Sequence, residues 1–314
     1  MGLADRTPPT VEEYEGYKQR LSNWGRWGKD DHIGTLNHIT VDARRHAATL
    51  VREGRSISMA NSLDTRPGPR NPFPVAHYMR WHGNIAWDYI GINYHGMTNT
   101  HIDALCHVMT AEDGELFNGR PSSDVSVRGA RSNSVDRFRD GIVTRGVLYD
   151  IPRFRGTGFV TFDTPVHGWD LEDCAKAQGI EPRQGDAVII RSGSEPFFRS
   201  GLAGSGGARG SPTVPVSATP GVHASVLEFL HEYQASILVW DLQDESQHNY
   251  PVPGGGALHY ITIPYMGMPL LDNAYLETVS EACASLRRWE FLFMCAPLVI
   301  FGGTGSPVNP LAVL

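Results

Sequence analysis

Two histidines and an aspartate lie within seven residues of one another, at His101, Asp103 and His107. Side chains alternate along an extended strand, so His101 and Asp103 are expected on one face, and a turn can bring His107 back to them. Imidazole and carboxylate ligands together are typical of the metal sites of hydrolases and oxygenases. A hydrogen-bonded histidine pair gives the same short pattern, so spacing alone leaves both interpretations open.

The composition favours a globular protein and argues against several partners. The chain has 314 residues, 41% of them hydrophobic, which is enough for a large core. Its net charge of −7, with no run of lysine or arginine, argues against a nucleic-acid partner. No stretch is apolar enough for a membrane span or a signal peptide, so we expect a cytoplasmic protein without a membrane partner. The four cysteines form no Cys-x-x-Cys pair and indicate neither a zinc knuckle nor a disulfide framework.

The elements that must hold the motif are strands with a few helices between them. Continuous apolar runs at 187–191 and 236–241 predict buried strands, and residues 89–94 predict a strand that leads into the motif. Only three or four helices are predicted, which favours a mixed α/β or α+β domain over a regular alternation of strand and helix. We divide the chain into an N-terminal arm (1–20) and a single domain (21–314).

With these elements in place, the chain resembles the metal-dependent hydrolases called cyclases, which include bacterial arylformamidases (kynurenine formamidase) and isatin hydrolase. The family motif is H-x-x-x-H-x-D-x-x-x-H, and residues 100–107 match its second half. Three further segments are similar, at 23–28, 185–193 and 305–310. The resemblance implies a swivelling β/β/α domain with a barrel-like mixed sheet and peripheral helices, assembled as a homodimer or homotetramer.

The sequence departs from the family motif at the second metal position. Met97 stands where the family has its first histidine, and His95 lies two residues earlier. On strand geometry this moves the imidazole by about 7 Å, much more than a metal–nitrogen bond of about 2 Å. Further along, His259 and Asp272 are the nearest match to a histidine and a glutamate of the family. His95 and Asp272 are therefore only second-site candidates, and we expect one divalent ion per subunit, manganese or zinc.

Isatin-hydrolase-like members hold one manganese ion with the histidine and aspartate of the motif and a glutamine. The resemblance assigns the ion four ligands here: His101, Asp103, His107 and Gln243. Three neighbours of the glutamine are alternatives to it: Asp241, Asp244 and Gln247. Because a ligating imidazole needs its other nitrogen held, one histidine of the motif can instead orient another ligand.

An ion held in this way supports metal-assisted hydrolysis, in which the pKa of a bound water falls and a carbonyl is polarised. We assign proton transfer to His259, which follows three glycines, with Asp103 and His107 also at the reacting centre. The alternatives are a surface histidine on a flexible loop and, for Asp272, an ordinary acid before a turn. An aromatic wall for a planar substrate is assigned to five residues: Trp24, Trp27, Trp81, Trp87 and Phe197.

The predicted reaction is hydrolysis of an amide, lactam, lactone or ester bond in a small aromatic or cyclic substrate. Two other classes of protein use the same residue types. Two histidines and a carboxylate can hold iron(II) in an oxygenase, which would make turnover depend on oxygen. A catalytically silent protein that keeps only the scaffold would bind its small-molecule ligand equally well without a metal.

Overall fold

The structure is a computed structural model that describes residues 2–202, 219–245 and 255–314. Gln247, one alternative ligand, lies outside the described residues. None of the helices in these ranges has the length and apolarity needed to cross a membrane. The four cysteines are all buried and unpaired, as the sequence predicts.

Within the described residues, nine strands form one curled, mixed sheet in the order β1-β13-β11-β7-β8-β9-β10-β4-β12, and two strand pairs stand apart from it. The strands are β1 (Ser56–Ser58), β2 (Ala76–His82), β3 (Ile85–Gly91), β4 (His101–Asp103), β5 (Val125–Ser126), β6 (Gly129–Ala130), β7 (Ile142–Asp150), β8 (Ala187–Arg191), β9 (Ile237–Trp240), β10 (Leu270–Asp272), β11 (Glu290–Cys295), β12 (Gly305–Pro307) and β13 (Leu311–Val313). Strands β7 to β10 are parallel, and both flanks are antiparallel. The predicted mixed, barrel-like sheet is confirmed.

Short helices surround the sheet. They are α1 (Gly2–Asp5), α2 (Val11–Arg20), α3 (Val41–Ala48), α4 (Ile151–Arg155), α5 (Gly168–Gln178), α6 (Ser194–Arg199), α7 (Val226–Glu232), α8 (His259–Ile261) and α9 (Glu277–Leu286). The prediction of three or four helices was wrong, because helices of three to seven residues are too short to show a helical period. Gly156 and Gly179 end α4 and α5 in the left-handed conformation that glycine adopts without strain.

The core lies on both faces of the parallel strands. Val188 and Ile190 of β8 enter one hydrophobic cluster, and Ala187 and Ile189 enter the other. Alternate side chains of one strand therefore pack into the hydrophobic clusters on the two faces of the sheet. For this reason the sequence of such a strand is a continuous apolar run. Burial on both faces fixes the strand ends, and the candidate site is built there.

The N-terminal arm packs on the rest of the chain. Thr10 and Glu13 form the capping box that their spacing predicts, and α2 begins there. Tyr14 and Tyr17 are buried in the same cluster as β8, and the Tyr14 hydroxyl donates to the Ala257 carbonyl at 2.8 Å. The arm therefore contributes to the core beside α8.

Candidate metal centre

Strand β4, second from one edge of the sheet, carries the motif. It pairs with β10 on one side, with His101 opposite Asp272, and with β12 on the other, with Asp103 opposite Gly305. His101 and Asp103 are both buried and face one side, as predicted from their spacing. Asp272 joins them because its partner in the register is His101. The pairing of three short strands thus collects two carboxylates and an imidazole.

The Asp103 carboxylate lies at the centre of four imidazoles. Its Oδ1 is 2.9 Å from His95 Nδ1 and 3.5 Å from His101 Nε2. Its Oδ2 is 3.8 Å from Nε2 of both His107 and His259. None of these contacts is a hydrogen bond, and both carboxylate oxygens and His95 Nδ1 are buried without a hydrogen-bond partner among the described residues. Such atoms are costly to bury unless another group satisfies them.

A divalent cation fits this donor set. Nitrogen and oxygen donors of this kind suit zinc or manganese. Two sets of three ligand atoms, which share Asp103, lie within 4.8 Å of one another: His95, His101 and Asp103, and Asp103, His259 and Asp272. Three of the imidazoles also have their other nitrogen held, as ligating histidines normally do. Those contacts are His95 Nε2 to Thr304 Oγ1 at 2.9 Å, His101 Nδ1 to the Asn99 carbonyl at 2.9 Å, and His259 Nδ1 to Asp244 Oδ2 at 2.5 Å.

His95 belongs to the cluster, against the strand argument made from the sequence. Strand β3 ends at Gly91, so the predicted strand over 89–94 was wrong beyond that point. The chain from 92 to 100 is a loop that folds the His95 ring against His107, with centroids 3.9 Å apart and planes 2° from parallel. The distance of about 7 Å expected for a strand does not apply to a loop.

Gln243 reaches the cluster through Asp272. Its amide Nε2 donates to Asp272 Oδ2 at 2.5 Å, and Trp240 Nε1 donates to Oδ1 at 2.5 Å. Direct ligation by Gln243 stays a prediction, whereas its contact with Asp272 orients that carboxylate. Trp240 was missed by the sequence analysis, although its position at the end of a buried strand, just before an acid, was the available signal.

The two alternatives to Gln243 within the described residues have separate roles. Asp241 accepts the backbone N–H groups of residues 192–194 and so caps the start of α6. Asp244 holds His259 and also accepts the Leu258 N–H at 2.5 Å. The local chain after β9 therefore supplies one residue that supports the fold and one that supports the cluster.

Burial and neighbouring charges set the protonation of the cluster. Burial lowers the pKa of His107 to about 4, so its ring is neutral at pH 7, as a ligand requires. Burial also works to lower the pKa of His259, but Asp244 and Asp272 outweigh it and hold that pKa well above its usual range. Burial works to raise the pKa of Asp272, and the His259 charge reverses this and lowers it. A metal ion would have to displace the His259 proton in order to bind that nitrogen.

The aromatic residues proposed as a substrate wall lie elsewhere in the fold. Phe197 is only 1% exposed and packs on Phe159 and Phe162 in the core, so its assignment to substrate binding was wrong. Trp24 donates to the Pro264 carbonyl at 2.7 Å and stacks on Tyr265. These contacts use the indole N–H and one face of the ring for packing.

The other three predicted wall residues are tryptophans outside the cluster. Trp27 packs edge-on against His38, and Trp81 and Trp87 lie exposed on the β2–β3 hairpin. The rings that do contact the cluster are Trp240, 5.5 Å from His259, and Tyr94, 4.6 Å from His95. Cys106 is buried, and burial raises the pKa of its thiol to about 12, which agrees with a packed residue.

A scan of family models matches residues 31–244 to the family named Cyclase. The chain belongs to the cyclase family. A search of the curated proteins found no match. Among solved structures, a novel cyclase is 26% identical, with a TM-score of 0.80 over 95% of this chain and 99% of that one.

Two isatin hydrolases share the fold of this cyclase-family chain. Isatin hydrolase A from Ralstonia solanacearum is 20% identical, with a TM-score of 0.58 over 87% of this chain and 97% of that one. An isatin hydrolase bound to the product analogue thioisatinate is 16% identical, with a TM-score of 0.55 over 88% of this chain and 99% of that one. At these identities the likeness is one of fold.

Proposed function

We propose that this cyclase-family protein is a metal-dependent hydrolase that cleaves an amide, lactam, lactone or ester bond in a small aromatic or cyclic molecule. One observation carries the proposal: both oxygens of the buried Asp103 lie between four imidazoles and have no hydrogen-bond partner in the described part of the chain. Structural histidine–aspartate pairs satisfy their polar atoms within the protein. The fold shared with isatin hydrolases supports the same reaction class.

His95, His101 and Asp103 would hold the ion, as manganese or zinc. When bound, a divalent ion at such a cluster supplies polarisation of a carbonyl and a lowered pKa of nearby water. Trp240 and Gln243 orient Asp272, so this carboxylate keeps a fixed position beside the cluster.

His259 is placed to transfer the proton. Asp244 holds its Nδ1, so Nε2 faces Asp103 and Asp272. The charges of Asp244 and Asp272 keep His259 protonated in the metal-free protein, and a bound divalent ion would offset those charges and leave Nε2 unprotonated. In the proposed reaction, water then adds its oxygen to the carbonyl carbon and gives a proton to His259 Nε2. The carbon–nitrogen or carbon–oxygen bond then breaks, and the leaving atom takes that proton from His259. The products are a carboxylic acid and an amine or alcohol, and the ring returns to its starting state.

The test is a panel of aryl formamides, isatin-like lactams and aryl lactones, assayed with metal-depleted protein and again after manganese or zinc is restored. We expect hydrolysis of at least one class only in the restored protein, and loss of both metal and activity in Asp103→Asn. Asp42→Asn, on the exposed first turn of α3, is the matched control and should behave as wild type.

Three results would contradict the proposal. Full activity of the metal-depleted protein would exclude a catalytic metal. Turnover that consumes oxygen and requires iron(II) would assign the cluster to an oxygenase. If panel compounds bind equally well with and without metal and none of them is hydrolysed, the protein is a catalytically silent binding protein.

A further inference from the structure

A cavity of about 660 Å³ opens beside the metal centre, where the carboxyl ends of β8, β9 and β10 meet the loop before β2. Ligands of parallel α/β sheets commonly bind at this end of the strands. Met97, in the loop between His95 and His101, lines the cavity, and so does Asn273, which follows Asp272. The cavity is therefore lined by chain neighbours of the cluster residues.

Arg70 lines this cavity, and the residues that the structure describes offer it no anionic partner. Its Nη2 donates to the Met97 carbonyl at 2.8 Å, and its Cζ lies 3.4 Å from the centroid of the Phe198 ring. Its Nε is buried and has no hydrogen-bond partner among the described residues. Burial lowers the pKa of Arg70 to about 10, so the side chain stays charged at pH 7. A guanidinium with a buried nitrogen and no anion beside it is unfavourable unless a bound anion balances its charge.

The other charged residues of the lining already have partners. Arg66 pairs with Asp64 at 3.2 Å, and Glu195 pairs with Arg199 at 2.6 Å. Asp241 is held by the backbone N–H groups at the start of α6. In the part of the lining that the structure describes, Arg70 is thus the cation whose charge is not balanced.

We propose that Arg70 binds a carboxylate of the substrate in this cavity, so that the substrate is an aromatic acid whose carboxylate lies away from the bond that is cleaved. The substrate class rests on the proposed hydrolase function, whereas the anion site does not. Because Nε is enclosed, the Nη end of the guanidinium meets the ligand, and its N–H groups form charge-assisted bonds to a planar carboxylate. Asp64 and Glu195 nearby disfavour a doubly charged anion such as phosphate.

Calorimetric binding of benzoate and of its neutral analogue benzamide tests the anion site. We expect Arg70→Gln to weaken benzoate binding by about 10- to 100-fold, the scale of a charge-assisted hydrogen bond, and to leave benzamide binding unchanged. Arg66→Gln is the matched control, since it removes the same charge from the same lining at a residue that is already paired. The proposal would be overturned if Arg70→Gln bound benzoate as tightly as wild type does. It would also be overturned if Asp103→Ala lost benzoate binding while Arg70→Gln kept it.

A second measurement separates this site from the hydrolase proposal. The two substrates to compare are a formamidobenzoate and its methyl ester. For the acid, Arg70→Gln should raise KM about tenfold or more and change kcat little. For the ester, both KM and kcat should change little. Equal effects on acid and ester would overturn the substrate class. Absence of any hydrolysis, with benzoate binding still dependent on Arg70, would refute the hydrolase and keep the anion site. If Arg70→Gln does not fold, Arg70→Lys replaces it, and unchanged benzoate binding would again overturn the site, because lysine lacks the planar fork.

Discussion

Replacement of Asp244 by asparagine tests how the cluster fixes the protonation of His259. Asp244 Oδ1 accepts the Leu258 N–H, and Oδ2 meets His259 Nδ1, both at 2.5 Å. A carboxylate only accepts, so Nδ1 keeps a proton, and a neutral ring presents its Nε2 lone pair to the cluster. Asparagine still accepts the backbone N–H but offers its own N–H to Nδ1. The proton then moves to Nε2, which can neither bind a metal nor accept a proton.

The magnitude follows from the contacts that survive. Because the Leu258 contact remains, the free energy of unfolding should fall by no more than about 1 kcal/mol, the net value of one hydrogen bond. At the site, loss of the carboxylate that fixes the tautomer of His259 should lower activity about 10- to 100-fold, the scale found for partners that orient a histidine at a metal centre. That range corresponds to about 1.4–2.8 kcal/mol. Asp244→Asn should therefore damage the site more than the fold.

Three measurements check this expectation: metal affinity by competition with a chelator, kcat/KM on the best substrate, and urea denaturation. His259→Gln should lose at least as much activity as Asp244→Asn, and the double variant should lose little more, because both changes act on one proton. Asp42→Asn serves again as the control. Unchanged metal affinity together with unchanged kcat/KM in Asp244→Asn would refute the role given to Asp244 and His259.

The remaining predictions concern the metal and the core. Asp103→Ala should reduce metal content measured by elemental analysis to near zero; retained metal would show that the ion lies elsewhere. After desalting, the metal ratio should be near one per chain, because both oxygens of Asp272 already accept hydrogen bonds, and a ratio near two would contradict this. Arg145→Leu leaves the buried Asp186, now bound at 2.6 Å, without its partner and should lower the free energy of unfolding by about 3–5 kcal/mol in urea. The exposed Arg45→Leu should cost less than about 1 kcal/mol, and equal losses would refute the argument from burial.

The motif strand and the buried strands could be predicted because their signals are local. The alternation of His101 and Asp103 appears directly as one face of β4, and the apolar run at 187–191 is β8 to the residue. The capping box at Thr10 and Glu13 forms as its spacing indicates. Each signal depends on residues within one turn or one strand, where backbone geometry alone relates the side chains.

The errors came from loops and from contacts between distant segments. His95 was placed on a strand that ends four residues earlier, and the loop that replaces it has no period that the sequence could show. Phe197 was taken for a substrate wall because an aromatic residue looks the same in a core and in a pocket. The hydrogen bond from Trp240 to Asp272 depends on the pairing of β9 with β10, and a single sequence does not give that register.

The sequence by itself determined the ligand types, because the spacing within β4 places an imidazole and a carboxylate on one face of any extended strand. Only the tertiary structure decided which nitrogen of His95 and of His259 faces Asp103, since Thr304 and Asp244 hold the opposite nitrogens from other segments of the chain. The same is true of Arg70. Its type is visible in the sequence, but that it has no anionic partner among the described residues appears only when the strand ends and the loops are brought together.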